Sequence, residues 1–203
     1  FDTNNYHTFQ PLLYQVATGG LEPTSIAYPL RKLIKNLPNV YFRIANVEQI
    51  LTSEKIVKTD IGDLTYDILV LATGSTTNFF NLPEESTSKM KTLKSIPQAL
   101  DLRSYILENF ENALLETDLV RKQALMNIAI VGGGPTGVEL AGAIGEMKSH
   151  MLPGDYKELN LKKMQVHLFE ASGNLLGPMS KDSQKRALEY LKNFGVHIHL
   201  NTA

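Results

Sequence analysis

The feature that most constrains this chain is a glycine-rich bend set between an apolar strand and a helix. Residues 127–131 form a strand-length apolar run that passes straight into Gly132-Gly133-Gly134-Pro135-Thr136-Gly137. From about residue 135 to 147 the pattern reads as a helix. A second strand follows over 164–169 and ends at Glu170. Ser180 is placed to cap another helix, with Ala187, Leu188, Leu191 and Phe194 inward and Gly195 at its end. Residues 196–200 make a third strand. The order strand–helix–strand–helix–strand predicts a parallel sheet with crossover helices, one half of a doubly wound α/β fold.

The chain before the bend is organised differently. Pro11 suits the first position of a short helix over 11–17, with Gly19 or Gly20 past its end. A second helix is expected over about 26–35, capped by Thr24 or Ser25. Pro38 and Asn39 break it. Three β-rich runs, 40–45 (with an extension towards Leu51), 55–59 and 64–66, are separated by polar turns and read as a small antiparallel meander. Ile68-Leu69-Val70-Leu71-Ala72 is unbroken and apolar, as a strand buried on both faces would be. It stops at Thr73-Gly74-Ser75. Residues 76–93 read as loop. Ser95 then starts a long helix, with Gln98 at capping-box spacing and Leu100, Leu107, Phe110 and Leu114 as its apolar stripe. Residues 116–126 link it onward.

Composition narrows the function. The 203 residues are 43% hydrophobic and 20% charged, with a net charge of −1, so no global field favours nucleic acid or an anionic surface. The absence of cysteine excludes disulfide staples, thiolate metal sites and dithiol redox chemistry. A reducing, cytoplasmic setting fits. No apolar run approaches the roughly 20 residues that cross a bilayer. His7, His150, His167, His197 and His199 show no convincing ligand spacing, and His197 and His199 read as an ordinary exposed strand face. The chain starts at Phe1-Asp2 without a methionine and stops at Ala203 just after a strand, so both ends look cut and a longer protein is expected.

The bend carries its own chemistry. Gly132 permits a tight turn, Gly134 lets a pyrophosphate approach the backbone, and Gly137 lets the helix pack on the strand. Pro135 and Thr136 complete the loop, and the helix N-terminus offers free N–H groups and partial positive charge to phosphates. Glu170, at the end of the second strand, is placed to accept both hydroxyls of an adenosine ribose and to repel a 2′-phosphate, which predicts NADH over NADPH. Gly137 and Glu170 are 33 residues apart, against about 20 in the usual pattern, and a polar insertion over 148–163, turning at Pro153-Gly154, accounts for the excess. A purely structural turn with a solvated strand-end acid is the bland rival. Glu139 either offsets the helix dipole or faces the nicotinamide.

The stretch from Gly132 to Gly142 resembles the NADH-binding segment of type II NADH dehydrogenases, the single-subunit, non-proton-pumping NADH:quinone oxidoreductases. Asn5-Tyr6-His7-Thr8-Phe9-Gln10-Pro11-Leu12-Leu13-Tyr14-Gln15-Val16-Ala17-Thr18-Gly19 is similar to the same family's flavin-side segment, and Tyr66 to Gly74 resembles the ATG motif of two-dinucleotide flavoproteins. The resemblance implies two Rossmann-like domains, the NAD domain inserted in the FAD domain, both incomplete here: 1–94 partial FAD-binding domain, 95–126 connecting helix and linker, 127–203 partial NADH-binding domain. It implies FAD contacts from Asp2, Gln10, Val47, Ala72, Thr73 and Gly74. It implies NAD contacts from Gly132, Gly134, Pro135, Thr136, Gly137 and Glu170, with Glu139 lining the nicotinamide pocket. Leu13 and Gln15 fall beside the quinone route.

The implied activity is hydride transfer from NADH to FAD and then electron transfer to a membrane quinone, without an acid–base triad or metal. The implied setting is a respiratory chain, with the protein peripheral on the inner face of the cell membrane and a homodimer allowed. The family's FAD-pyrophosphate glycine motif would precede Phe1, and its membrane-binding segment would follow Ala203, so this piece alone is expected not to turn over. Two rivals keep the fold: a ferredoxin-type reductase using NADH, and a non-catalytic NADH- and flavin-binding sensor. Disulfide reductases and sulfide:quinone oxidoreductases are disfavoured because they rely on cysteines.

Overall fold

The computed structural model describes residues 1–80 and 82–202; Asn81, within the expected loop over 76–93, and Ala203, at the end of the expected NADH-binding domain, lie outside the described residues. The fold is mixed α/β, with one two-stranded and two three-stranded sheets among these residues. The chain divides into two compact units, residues 1–9 with 23–87, and residues 10–22 with those from Ser88 onward.

In the first unit, β1 (Tyr6–Thr8) opens the chain. The chain then passes through α1 (Leu13–Ala17) of the second unit and returns as β2 (Ala27–Pro29), followed by the single turn α2 (Leu30–Leu33). β1 and β2 pair antiparallel, with His7 opposite Tyr28. The helix expected over 26–35 is therefore shortened to one turn. Pro29 sits in extended backbone at φ −61°, ψ 123°; it has no N–H to donate and restricts Tyr28 before it, so the helix starts only after it.

β3 (Val47–Leu51), β4 (Ile56–Thr59) and β5 (Gly62–Thr65) form the expected antiparallel meander. The expected strand over 40–45 is not formed. Its one ladder contact is an isolated parallel bridge from Ile44 to Asp2. Asn46 then anchors the start of β3, where its backbone N–H and side-chain amide donate to the two carboxylate oxygens of Asp60 (2.9 and 2.8 Å). The apolar run over 68–72 is also not a strand. Ile68, Val70 and Leu71 are 86%, 80% and 65% exposed. A doubly buried strand needs hydrogen-bonded neighbours on both edges, and among the described residues no strand pairs with it. A single turn, α3 (Glu84–Thr87), ends this unit.

The second unit holds α1, α4 (Ile96–Leu115), α5 (Leu119–Met126) and the parallel sheet. Ser95 caps α4 by accepting from the Gln98 N–H, and Gln98 Oε1 accepts in return from the Lys94 N–H (2.8 Å), one residue further back than in the usual box. The buried stripe of α4 is Ile96, Ala99, Ile106, Phe110 and Ala113. Leu100 and Leu107 lie on the exposed side, so the expected stripe was rotated by about one residue except at Phe110. Small Ala99 and Ala113 mark the true face because they allow close packing. Asp118 caps α5 through two backbone N–H groups.

β6 (Ile128–Val131), β7 (Val166–Phe169) and β8 (Val196–His199) are parallel in the order β6-β7-β8. α6 (Pro135–His150) and α8 (Lys181–Asn193) connect them. Ile130, Val166, Leu168 and Val196 alternate onto the buried face, with Leu140, Ala141, Ile144 and Leu191 from the helices buried beside them. Gly195 ends α8 in the left-handed region at φ +71°. The polar insertion over 148–163 is a packed element instead. α6 runs on to His150, and α7 (Leu152–Asp155) follows with Pro153 in its first turn. Leu152, Tyr156, Leu159 and Leu161 are all buried. Tyr156 packs on Phe110 at 5.2 Å between ring centroids and donates to Glu111 (2.9 Å). Its apolar residues are spaced among four lysines and the acids Asp155 and Glu158, which is why composition hid them.

Candidate functional site

The glycine bend opens at the carboxyl end of the parallel sheet, where ligands of doubly wound folds bind. Gly132 adopts φ +109°, a region residues with a Cβ rarely enter, and its N–H donates to the Phe169 carbonyl of β7 (2.8 Å). Gly134 is the N-cap of α6, extended at φ −74°, ψ −178°, with no side-chain cap, and Pro135 follows. Nothing lies within 4 Å of where a Cβ on Gly134 would stand. The first-turn N–H groups, including those of Thr136 and Gly137, have no intrahelical acceptor by geometry, and the positive end of the helix dipole lies with them. At Gly137 a Cβ would fall inside the Gly132 carbonyl oxygen. That contact requires glycine, and it holds α6 against the bend.

Glu170 follows β7 directly. Its backbone is fixed on both sides, the N–H donating to the His199 carbonyl (2.9 Å) and the carbonyl accepting from the Thr202 N–H (3.0 Å). Its carboxylate accepts twice from backbone, Oε2 from the Gly133 N–H (2.6 Å) and Oε1 from the Ser172 N–H (2.7 Å). The Ser172 amide, helped by that of Gly133, holds the carboxyl below its ordinary range against the opposing effect of partial burial. Gly133 itself is buried: a Cβ there would stand 2.7 Å from Leu175 Cδ2 and 2.9 Å from Glu170 Cγ. The Leu176 N–H donates to the Gly133 carbonyl (2.8 Å), so the turn after β7 folds over the bend. Gln184 of α8 is buried and ties this turn down, donating to the carbonyls of Gly177 and Met179 (both 3.1 Å).

Glu139 lies one turn into α6 and lines a cleft of about 520 Å³ with Gly142, Ala143 and Glu146 of the same helix, Tyr14, Gln15 and Thr18 of the α1 segment, and Tyr190 of α8. Small residues on α6 leave the space. Glu139 is exposed overall, yet desolvation along the cleft wall pushes its carboxyl above the ordinary value. Gln15 Nε2 donates to the Tyr14 hydroxyl (3.0 Å) at the same cleft. Leu13, which the resemblance places with Gln15 beside the quinone route, does not line it; it is buried in the core.

The flavin-side candidates are more dispersed. Asp2 Oδ1 accepts from the Asn4 N–H (2.8 Å), and Asp2 bridges to Ile44, three residues before exposed Val47. Ala72, Thr73 and Gly74 form exposed irregular backbone, Gly74 at φ +72° with nothing within 4 Å of a Cβ. Gln10, in the second unit, opens a 3₁₀ turn and is exposed. Among the described residues no group of three ligating side chains could hold a metal ion.

Sequence reasoning missed Gly133, Ser172 and Gln184. Gly133 occupies the variable position of the glycine pattern. The run of three successive glycines was the one available signal that this position too is restricted.

A model of the pyridine nucleotide-disulphide oxidoreductase family matches residues 1–203. The chain belongs to that family. It is 37% identical over 199 residues to a type II NADH:quinone oxidoreductase, Ndh, of Mycobacterium tuberculosis, covering 96% of this chain and 43% of that protein. It is 30% identical over 222 residues to the mitochondrial external alternative NAD(P)H-ubiquinone oxidoreductase B3 of Arabidopsis thaliana, covering 98% of this chain and 36% of the relative. Among solved structures, NDH2 from Plasmodium falciparum in complex with NADH superposes with a TM-score of 0.87 at 25% identity, over 98% of this chain and 42% of that one. The chain thus spans about two-fifths of the length of these family members.

Proposed function

We propose that this chain is the nucleotide-binding core of an FAD-dependent NADH:quinone oxidoreductase that does not pump protons. The observation that carries the reading is the uncapped α6 N-terminus, opening at Gly134, beside the amide-held carboxylate of Glu170. The first suits a diphosphate and the second a ribose diol, which together describe the adenosine half of NADH. Similarity to type II NADH:quinone oxidoreductases supports the acceptor. In domain terms, residues 1–94 belong to the FAD-binding part, 95–126 connect, and those from 127 onward bind NADH. Quinones of this kind are lipid-soluble, so the protein works at a membrane surface; attachment to the inner face and homodimerisation are part of the proposal. No helix among the described residues is long and apolar enough to cross a membrane.

Bound flavin supplies the hydride acceptor and the two-electron store. The open space at Gly134 suits the dinucleotide pyrophosphate, and the exposed backbone over 72–74 leaves room for a flavin nucleotide. The chain's contribution is binding and orientation. Gly134 and the α6 amides seat the pyrophosphate, Glu170 holds the ribose, Glu139 borders the nicotinamide end, and Asp2, Gln10, Val47, Ala72, Thr73 and Gly74 meet FAD. Gln15 stands on the quinone side, and Leu13 supports it from the core. Holding both rings in contact converts a bimolecular hydride transfer into an intramolecular one.

Rapid anaerobic mixing of the intact protein with NADH tests this. Flavin absorbance should bleach within seconds and return on adding a soluble quinone. Bleaching without return to quinone points to a protein acceptor, and no bleaching points to a sensor; either overturns the reading. Gly134→Val should weaken NADH binding by about tenfold or more, since even one lost phosphate contact of a charged group is worth about 1.5–3 kcal/mol.

A further inference from the structure

We propose that the backbone amides of Gly133 and Ser172 form an anion seat at the ribose end of the dinucleotide site, and that Glu170 excludes a 2′-phosphate chiefly by filling that seat with its own carboxylate. This inference rests on the proposed NADH site and deepens it.

Three features of the turn carry the argument. Both Glu170 oxygens are engaged by amides, Oε2 by Gly133 (2.6 Å) and Oε1 by Ser172 (2.7 Å). A carboxylate has about four acceptor positions, so two remain, one on each oxygen. Two remaining acceptors match the two hydroxyls of a ribose. A 2′-phosphate brings only acceptors and negative charge, and it could enter only if the carboxylate left. Leaving would strip the partner from the amide of buried Gly133, which raises the cost of displacement. The seat is also built rigidly. Gly133 has no room for a Cβ against Leu175 and Glu170. The Leu176 N–H is bonded to its carbonyl (2.8 Å), and the Ser172 hydroxyl donates to the Asn174 carbonyl (2.8 Å). The turn therefore stands on bonds of its own, and Glu170 leaves the seat only by giving up both amide bonds.

An occupied seat and a bare negative charge predict different variants. If charge alone excludes NADPH, Glu170→Gln and Glu170→Ala relax selectivity equally. With an occupied seat they differ. Gln turns an NH₂ group towards one of the two amides, donor against donor, so the turn is disturbed and the seat stays blocked. Ala vacates the seat, and both N–H groups become donors for phosphate oxygens, in the manner of backbone anion concavities. Gly133→Ala is a third arm, because its Cβ pushes Glu170 Cγ and misaligns the carboxylate.

The test is equilibrium titration of the intact protein with NADH and with NADPH, for the natural chain, Glu170→Ala, Glu170→Gln and Gly133→Ala, with Glu170→Ser run beside Glu170→Ala to repeat that arm should the Ala variant not fold. NADPH should bind the Ala or Ser variant at least about tenfold more tightly than the Gln variant. In Gly133→Ala the preference for NADH should shrink by a similar factor while NADPH binding is retained. Equal NADPH affinity in the Ala, Ser and Gln variants, or an unchanged preference in Gly133→Ala, overturns the seat. Failure of the natural protein to bind NADH at all would instead overturn the proposed function, so the two failures are distinguishable.

Discussion

At the scale of single residues, the site depends on contacts that leave no room for a side chain. Gly137 is the sharpest case: a Cβ would overlap the Gly132 carbonyl oxygen, which belongs to backbone and cannot step aside cheaply. Gly137→Ala should therefore lower stability by about 1–3 kcal/mol, as overpacking does, measured by urea unfolding. Tyr156 is a case of the opposite kind, a polar atom that burial makes dependent on its partner. Burial first and the bond to Glu111 second push its hydroxyl up to about 12. A raised folded-state value means the neutral phenol is favoured by folding. The stability it contributes is whole below the ordinary phenol range and is lost as pH rises towards 12. Tyr156→Phe should cost about 1 kcal/mol near neutrality and flatten the loss of stability between pH values of about 10 and 12, followed by denaturant titration at each pH. Gly132, Gly134, Gly137 and Glu170 were legible in the sequence as a pattern, and Glu139 only through the family resemblance. Gly133 was not, because its restriction comes from Leu175 and Glu170, which are remote in sequence.

At the scale of elements, the βαβαβ order and the Ser95, Ser180 and Gly195 boundaries were readable, since caps and left-handed ends are local chemistry. The elements that misled depend on neighbours. The helix over 26–35 lost most of its length to pairing with β1, and α7 formed where composition indicated a solvated insertion. The face of β7 and β8 is another example. His197 and His199 read as an ordinary exposed face, but His167 of β7 joins them. Its ring stacks on both, at 5.0 and 5.3 Å, and its Nδ1 lies 3.0 Å from His199 Nε2. On the other side of the ring, His167 Nε2 lies 3.2 Å from Gln165 Oε1. Burial, then the neighbouring His197 and His199, lower the His167 pKa. The folded state thus favours neutral His167. Its contribution is present above the ordinary imidazole range and is lost as pH falls. The protection of β7 and β8 amides, measured relative to their intrinsic exchange rates at each pH, should fall from pH about 7 to 5, and His167→Phe should remove that acid sensitivity.

At the scale of the whole molecule, two units are built by different rules. The second has a closed core, with Phe110, Ile144, Leu168 and Leu191 fully buried. In the first, the apolar run over 68–72 is left in solvent. What could be read from the chain alone is local: strand and helix periods, the caps, the left-handed glycines, and the bend that opens α6. Each of these follows from backbone sterics and hydrogen bonding within a few residues. Packing alone settled which helix faces are buried and that Glu170 is held by an amide 37 positions away. Those outcomes follow from which surfaces meet, and that is a property of the packed chain rather than of any short stretch of it.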